Sequence, residues 1–153
     1  MTERTRTITW EDPTVGAQAA RTMAGRDYLQ AILDGKFPAP PIARTLDFGL
    51  EEIGEGRARF HVTPQEFHYN PIGVVHGGLA ATIPDRATGC AAQSTLPPGV
   101  AYTPVDLHLN LGRAPPHATA PSSLLQPGPP AGTGTAPAAG PRAVGGELHP
   151  RAR

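Results

Sequence analysis

The sequence predicts an α+β domain, and three observations carry that reading. A helical pattern lies near the start, two alternating apolar stretches flank Gly54-Glu55-Gly56, and a run of small apolar residues from His76 to Gln93 precedes one more alternating stretch. At 153 residues with 39% apolar content, one domain is the expectation, and a formal net charge of zero gives no reason to expect nucleic acid as a partner. The single cysteine leaves no intrachain disulfide and fits a reducing cytoplasm. The segment Met1 to Trp10 is polar, without the apolar core of a signal, and no run is long enough to span a membrane, so a cytoplasmic location is expected.

Taken in order, Asp12-Pro13 supplies an N-cap followed by proline at the first helical position. Met23, Leu29, Ile32 and Leu33 then recur before Gly35 ends the pattern, which predicts one helix from Pro13 to Asp34. Pro38-Ala39-Pro40-Pro41 forces an extended link, so residues 1–41 form a helix and linker. Between Ile42 and Val62, Leu46, Phe48 and Leu50 alternate, as do Ala58, Phe60 and Val62, which predicts a β-hairpin with one buried face. The central helix is expected to start near His76. Pro97-Pro98-Gly99 breaks the chain after it, and Val105, Leu107, Leu109 and Leu111 alternate in a third strand from Ala101 to Leu111.

The composition then changes. From Arg113 to Arg153 there is no aromatic, isoleucine, aspartate or lysine, and proline, glycine and alanine make up more than half. Such a segment is expected to bury too little apolar surface to offset the entropy of ordering it, so residues 112–153 are predicted to be a disordered tail without strands. Alanine, arginine, glycine and proline are also what GC-rich codons yield in any frame, so the tail has the composition of a shifted reading frame.

The chemistry concentrates in His68-Tyr69-Asn70-Pro71-Ile72-Gly73-Val74-Val75-His76-Gly77-Gly78, with Asp85 shortly after. Asn70-Pro71-Ile72-Gly73 is a turn signature, with proline fixing one dihedral and glycine admitting a positive one. A helix beginning at His76 would present backbone N–H groups at the positive end of its dipole. Gly77 and Gly78 have no side chain to block an oxygen approaching those donors, so the pair suits an oxyanion hole. Asp85 is the only carboxylate between Glu66 and Asp106, a candidate nucleophile or general base. Eight residues of helix separate Gly77 from Asp85 by about 12 Å along the axis, too far for one reacting carbon. If both act, two antiparallel copies of the helix in a two-fold dimer must supply them.

Plainer readings stand beside this one. A turn motif is most often only a turn, and two glycines at a helix start often serve only close packing. His68 and His76 show no metal-ligand spacing with Cys90 or another acid. Cys90 reads as a small buried residue. His108 and Asn110 share the polar face of their strand and read as solvated or interfacial. Pro84 removes the helix hydrogen bond to Ala80 and is expected to kink the helix beside Asp85.

From His68 to Leu111 the chain resembles the PaaI-like (phenylacetate-degradation) branch of the hotdog-fold acyl-CoA thioesterases, with turn, HGG, aspartate and following strand at family spacing. The resemblance covers roughly residues 1–111. It implies a central helix wrapped by an antiparallel sheet and hydrolysis of acyl-CoA, of aromatic acyl groups by preference, at a dimer interface. It implies a homodimer or dimer of dimers; no cofactor is expected, and spacing, hydropathy and charge give no reason to expect a metal, a membrane or nucleic acid. In its terms the Gly77 N–H polarises the thioester carbonyl, Asp85 is base or nucleophile, Asn70 orients water or carbonyl, and His76 precedes the glycines. Gly78 and Thr103 are the substrate-binding positions, and Arg113 is a candidate phosphate contact by proximity alone. The resemblance stops where two further strands should follow. Residues 42–111 are therefore expected to form an incomplete hotdog domain, and a catalytically silent relative that at most binds acyl-CoA or a partner subunit is the alternative.

Overall fold

The computed structural model describes residues 2–102, 106–110, 122–126, 134–136, 138–139 and 145–149. Helix α1 (Pro13–Ala20) starts as the sequence dictates: Asp12 Oδ1 accepts from the Thr14 N–H at 2.9 Å, with Pro13 at the first helical position. The expected single helix is in fact two. Helix α2 (Gly25–Leu33) follows after a break, because Gly25 is pressed onto the far end of the central helix. A Cβ at Gly25 would lie 1.7 Å from the Gln93 carbonyl oxygen, and the Gly25 N–H donates to Leu96 O at 3.0 Å. A continuous helix from Pro13 would spend that N–H internally and lose the contact.

The second correction is Ile42 to Leu46, expected within the first strand. Pro41 instead opens a short helix, α3 (Pro41–Leu46), as proline does at a first helical position. Asp47 ends it in the left-handed region at φ 52°, and strand β1 (Phe48–Gly54) begins immediately. The hairpin itself is as expected. Strand β2 (Arg57–Val62) pairs antiparallel with β1 from Phe48↔Val62 to Gly54↔Arg57, with one register irregularity between Leu50 and Glu52.

Helix α4 (Gly77–Gln93) lies across this hairpin. Leu79, Ile83, Ala87, Cys90 and Ala91 recur at helical spacing and are buried against Phe48, Ile53, Ala58, Phe60 and Val62. Phe48 and Phe60 meet edge to face with centroids 6.0 Å apart. Each large side chain in this seam contributes roughly 1.5–3 kcal/mol by leaving water. Pro84 does not interrupt the helix: its ring is among the most buried side chains, and the Thr88 hydroxyl donates to the Pro84 carbonyl at 2.9 Å. Apolar burial offsets the hydrogen bond that the proline removes.

Strand β3 (Asp106–Asn110) falls inside the predicted third strand. The expectation that no strand follows Leu111 is not met. Strands β4 (Ser122–Gln126), β5 (Gly134–Ala136), β6 (Ala138–Ala139) and β7 (Gly145–His149) build two sheets, ordered β1-β2-β4-β6 and β3-β7-β5. Every pairing is antiparallel, and β4 runs against the free edge of β2 from Ala58↔Gln126 to Val62↔Ser122. Ladder bonds are made by backbone N–H and C=O groups, so an unpaired edge can recruit a segment whose side chains carry no strand pattern.

Candidate active site

The loop between β2 and α4 is built around one buried histidine, whose structural role sequence reading did not assign. His68 is 4% exposed, and both ring nitrogens are engaged. Nδ1 accepts from the Gln65 N–H at 2.9 Å, and Nε2 lies 2.9 Å from the Leu46 carbonyl. A carbonyl only accepts, so the proton sits on Nε2 and the ring is neutral. Burial holds its pKa below the ordinary 6.5, with Arg6 adding repulsion and the Leu46 carbonyl pulling the other way. From the backbone of the same residue, His68 O accepts from the His76 N–H at 2.8 Å. His68 therefore fixes where α4 starts. Its only signal in the sequence is that a histidine sits at a loop position, which does not distinguish burial from exposure.

Asn70 closes the turn. Its Oδ1 accepts from Ile72 N at 3.1 Å and Val74 N at 3.3 Å, while its backbone N–H donates to Val74 O at 2.8 Å. Gly73 takes φ 78°, and Tyr69 bridges Val75 across the loop base. Since both side-chain partners are N–H donors, the oxygen must face the turn. What remains for an incoming group is the Nδ2 amide, a donor.

His76 caps α4. Its Nδ1 accepts from the Gly78 N–H at 2.8 Å, so Gly78 is not the second free donor that the sequence suggested. Glycine at 78 serves another purpose: a Cβ there would meet His76 Nδ1 at 2.9 Å and push the cap away. With Nδ1 accepting, neutral His76 carries its proton on Nε2, on an exposed ring. Among the described residues none accepts from the Gly77 N–H. The helix start thus keeps one backbone donor, Gly77, flanked by two side chains with N–H groups left over, Asn70 and His76.

Asp85 stands two turns further along the same unbroken helix, half-buried. Among the described residues its carboxylate makes no hydrogen bond or ion pair. The structure thus groups Asn70, His76, Gly77 and Gly78 and leaves Asp85 apart, as the helix rise requires. Thr103 and Arg113 lie outside the described residues. Beside Asp85, Arg86 has its Nε buried without a partner among the described residues, an Asp-Arg sequence in an apolar helix that sequence reading passed over. Cys90 is buried, and burial pushes its thiol up, away from nucleophilic chemistry. Among the described residues no three His, Cys, Asp or Glu side chains converge as metal ligands, and no helix is long and apolar enough to cross a membrane.

The chain matches no family model and no curated protein sequence. Solved structures do match it. The phenylacetic acid degradation-related protein of Ralstonia eutropha superposes with a TM-score of 0.67 at 18% identity, over 80% of this chain and 98% of that one. Its fold is that of the PaaI-like hotdog proteins. A thioesterase family protein of Silicibacter pomeroyi gives 0.65 at 18% identity over 80% and 95% of the two chains. Escherichia coli PaaI, from the phenylacetic acid degradation operon, gives 0.63 at 16% over 86% and 97%. At such identities the match establishes the hotdog fold, in which α4 is the central helix.

Proposed function

We propose that this hotdog protein hydrolyses acyl-CoA thioesters to the free acid and CoA, at a site shared between two subunits. The observation that carries the reading is one unbroken helix with an N–H at its start and a carboxylate eight residues on, both without a partner among the described residues. The Gly77 N–H, at the positive end of the α4 dipole, receives the thioester carbonyl oxygen as it gains charge. Asp85 of the partner subunit takes a proton from water as the water oxygen bonds to the carbonyl carbon. The C–S bond then breaks, the CoA thiolate leaves and is protonated, and the acid departs. Asn70 Nδ2 and His76 Nε2 donate to the carbonyl or hold the water; neither can act as base in its observed hydrogen-bonding role. A nucleophilic Asp85 forming an anhydride is the variant of the same reading.

The names of the neighbouring proteins, two of which mention phenylacetic acid degradation, support an aromatic acyl group as the first to try. The test is free-thiol release from a panel of aromatic and aliphatic acyl-CoA esters by the wild-type chain and Asp85→Ala. Turnover should fall at least about a hundredfold in the variant, the usual worth of a positioned base. Full turnover in Asp85→Ala, or no release from any ester, defeats the proposal.

A further inference from the structure

We infer that the cleft beneath the N-terminal arm is a nucleotide site, in which Trp10 takes the flat face of a base and Arg44 the phosphate. The cleft has a volume of about 380 Å³ and lies between residues 6–11 and Arg44 of α3. That falls within the roughly 300–1,000 Å³ of small-molecule pockets. Among the described residues the arm is hydrogen-bonded through side chains: Arg4 Nε to Glu66 at 2.7 Å, and Arg6 to the carbonyls of Thr45 at 2.9 Å and Arg44 at 3.1 Å. The Arg6 guanidinium also sits 3.9 Å over the Phe67 ring, which fixes it in place. Among the described residues, no backbone hydrogen bond ties residues 7–10 to the rest of the chain. Their N–H groups are therefore free to meet an anion.

The charges select the ligand. Arg6 and Arg44 both line the cleft, and among the described residues neither is ion-paired with the Glu11 carboxylate that lines it too. The lining carries two cations and one anion, a net positive charge that suits a phosphate-bearing ligand. Trp10 is 61% exposed among the described residues, an indole with most of its surface open. Guanidinium beside a bare aromatic face recognises a flat ring carrying a phosphate, the chemistry of a nucleoside monophosphate. Glu11 offers an acceptor for a sugar hydroxyl.

The same chemistry could come from a free nucleotide or from the nucleotide end of CoA. Trp10 is the only tryptophan, so its fluorescence reports the cleft directly. AMP, adenosine, inorganic phosphate and CoA are titrated separately into the full chain and into Arg44→Ala. The Arg44 side chain holds no described residue, and its backbone carbonyl still receives Arg6, so the variant keeps the arm in place. AMP should quench saturably, adenosine and phosphate should each bind at least tenfold more weakly, and Arg44→Ala should weaken AMP about tenfold. Calorimetry on Trp10→Ala should register a similar loss without the fluorophore. Tighter binding of AMP than of CoA assigns the site to free nucleotide; the reverse assigns it to the CoA end. No saturable change with AMP or CoA, an Arg44→Ala curve that overlays the wild type, or phosphate alone matching AMP overturns the inference. It does not depend on thioester hydrolysis, since AMP binding by Arg44→Ala and turnover by Asp85→Ala are read on separate variants.

Discussion

His68 and His76 belong to one loop and meet through a single backbone hydrogen bond, yet the structure uses them in opposite ways. At His68 every polar atom of the ring is answered by backbone, in a buried place. At His76 one nitrogen caps the helix and the other faces outward, beside an amide N–H with no partner among the described residues. What separates a structural histidine from a candidate for chemistry is thus whether its hydrogen bonds are already spent.

The most severe way to break this contrast is to delete the unspent donor alone. Gly77→Pro does so: proline is favoured at the first helical position, Gly77 needs no positive φ, and His76 already has the extended backbone (φ −66°, ψ 134°) that precedes proline. Turnover should drop about a hundred- to a thousandfold, as for loss of an oxyanion donor, with the melting temperature held. Mixing Gly77→Pro with Asp85→Ala sharpens the point, because half the random dimers then carry one intact shared site. About a quarter of wild-type turnover should return, whereas a site within one chain restores none.

Next in size is the buried partner. His68→Leu leaves the Gln65 N–H and the Leu46 carbonyl without their ring partner and should cost about 2–3 kcal/mol in denaturant unfolding. Its pH dependence has a definite sign. The folded pKa is depressed, so between it and 6.5 the unfolded chain binds more protons. The contribution is complete above pH 6.5 and is lost as pH falls through the folded pKa. Melts at descending pH should therefore show the wild type losing its advantage over His68→Leu. The smallest effect belongs to Gly78→Ala, whose Cβ displaces the His76 cap; about 1 kcal/mol of helix stability should go, measured by the same melts.

These contrasts mark what the sequence could and could not announce. Asp12-Pro13, Gly54-Glu55-Gly56 and the run after His76 named α1, the hairpin and α4, since each signal is local. The break at Gly25 depended on what lay across from it, the Gln93 carbonyl, which no periodicity records, whereas α3 had a local signal in Pro41 that the alternation of Leu46, Phe48 and Leu50 masked. The strands beyond Leu111 were missed for a related reason: β4 pairs with the edge of β2, β6 with β4, and β7 with β3, so each is placed by a backbone partner distant in sequence. At the site, the residue types were legible and their allegiances were not. That Gly78 gives its N–H to His76, and that Asn70 turns its oxygen inward, are facts of geometry over a few ångströms.

Ser94 joins the two ends of this architecture. Its buried Oγ accepts from Gly56 N at 2.8 Å and donates to Ala91 O at 2.7 Å, so the tip of the β1–β2 turn is pinned to the last turn of α4. The closed end of the hairpin is therefore tied to the helix by hydrogen bonds as well as by apolar packing. Fraying is left to the open end, near Phe48 and Val62, where the seam with α4 and the Phe48–Phe60 contact are what keep the sheet on the helix.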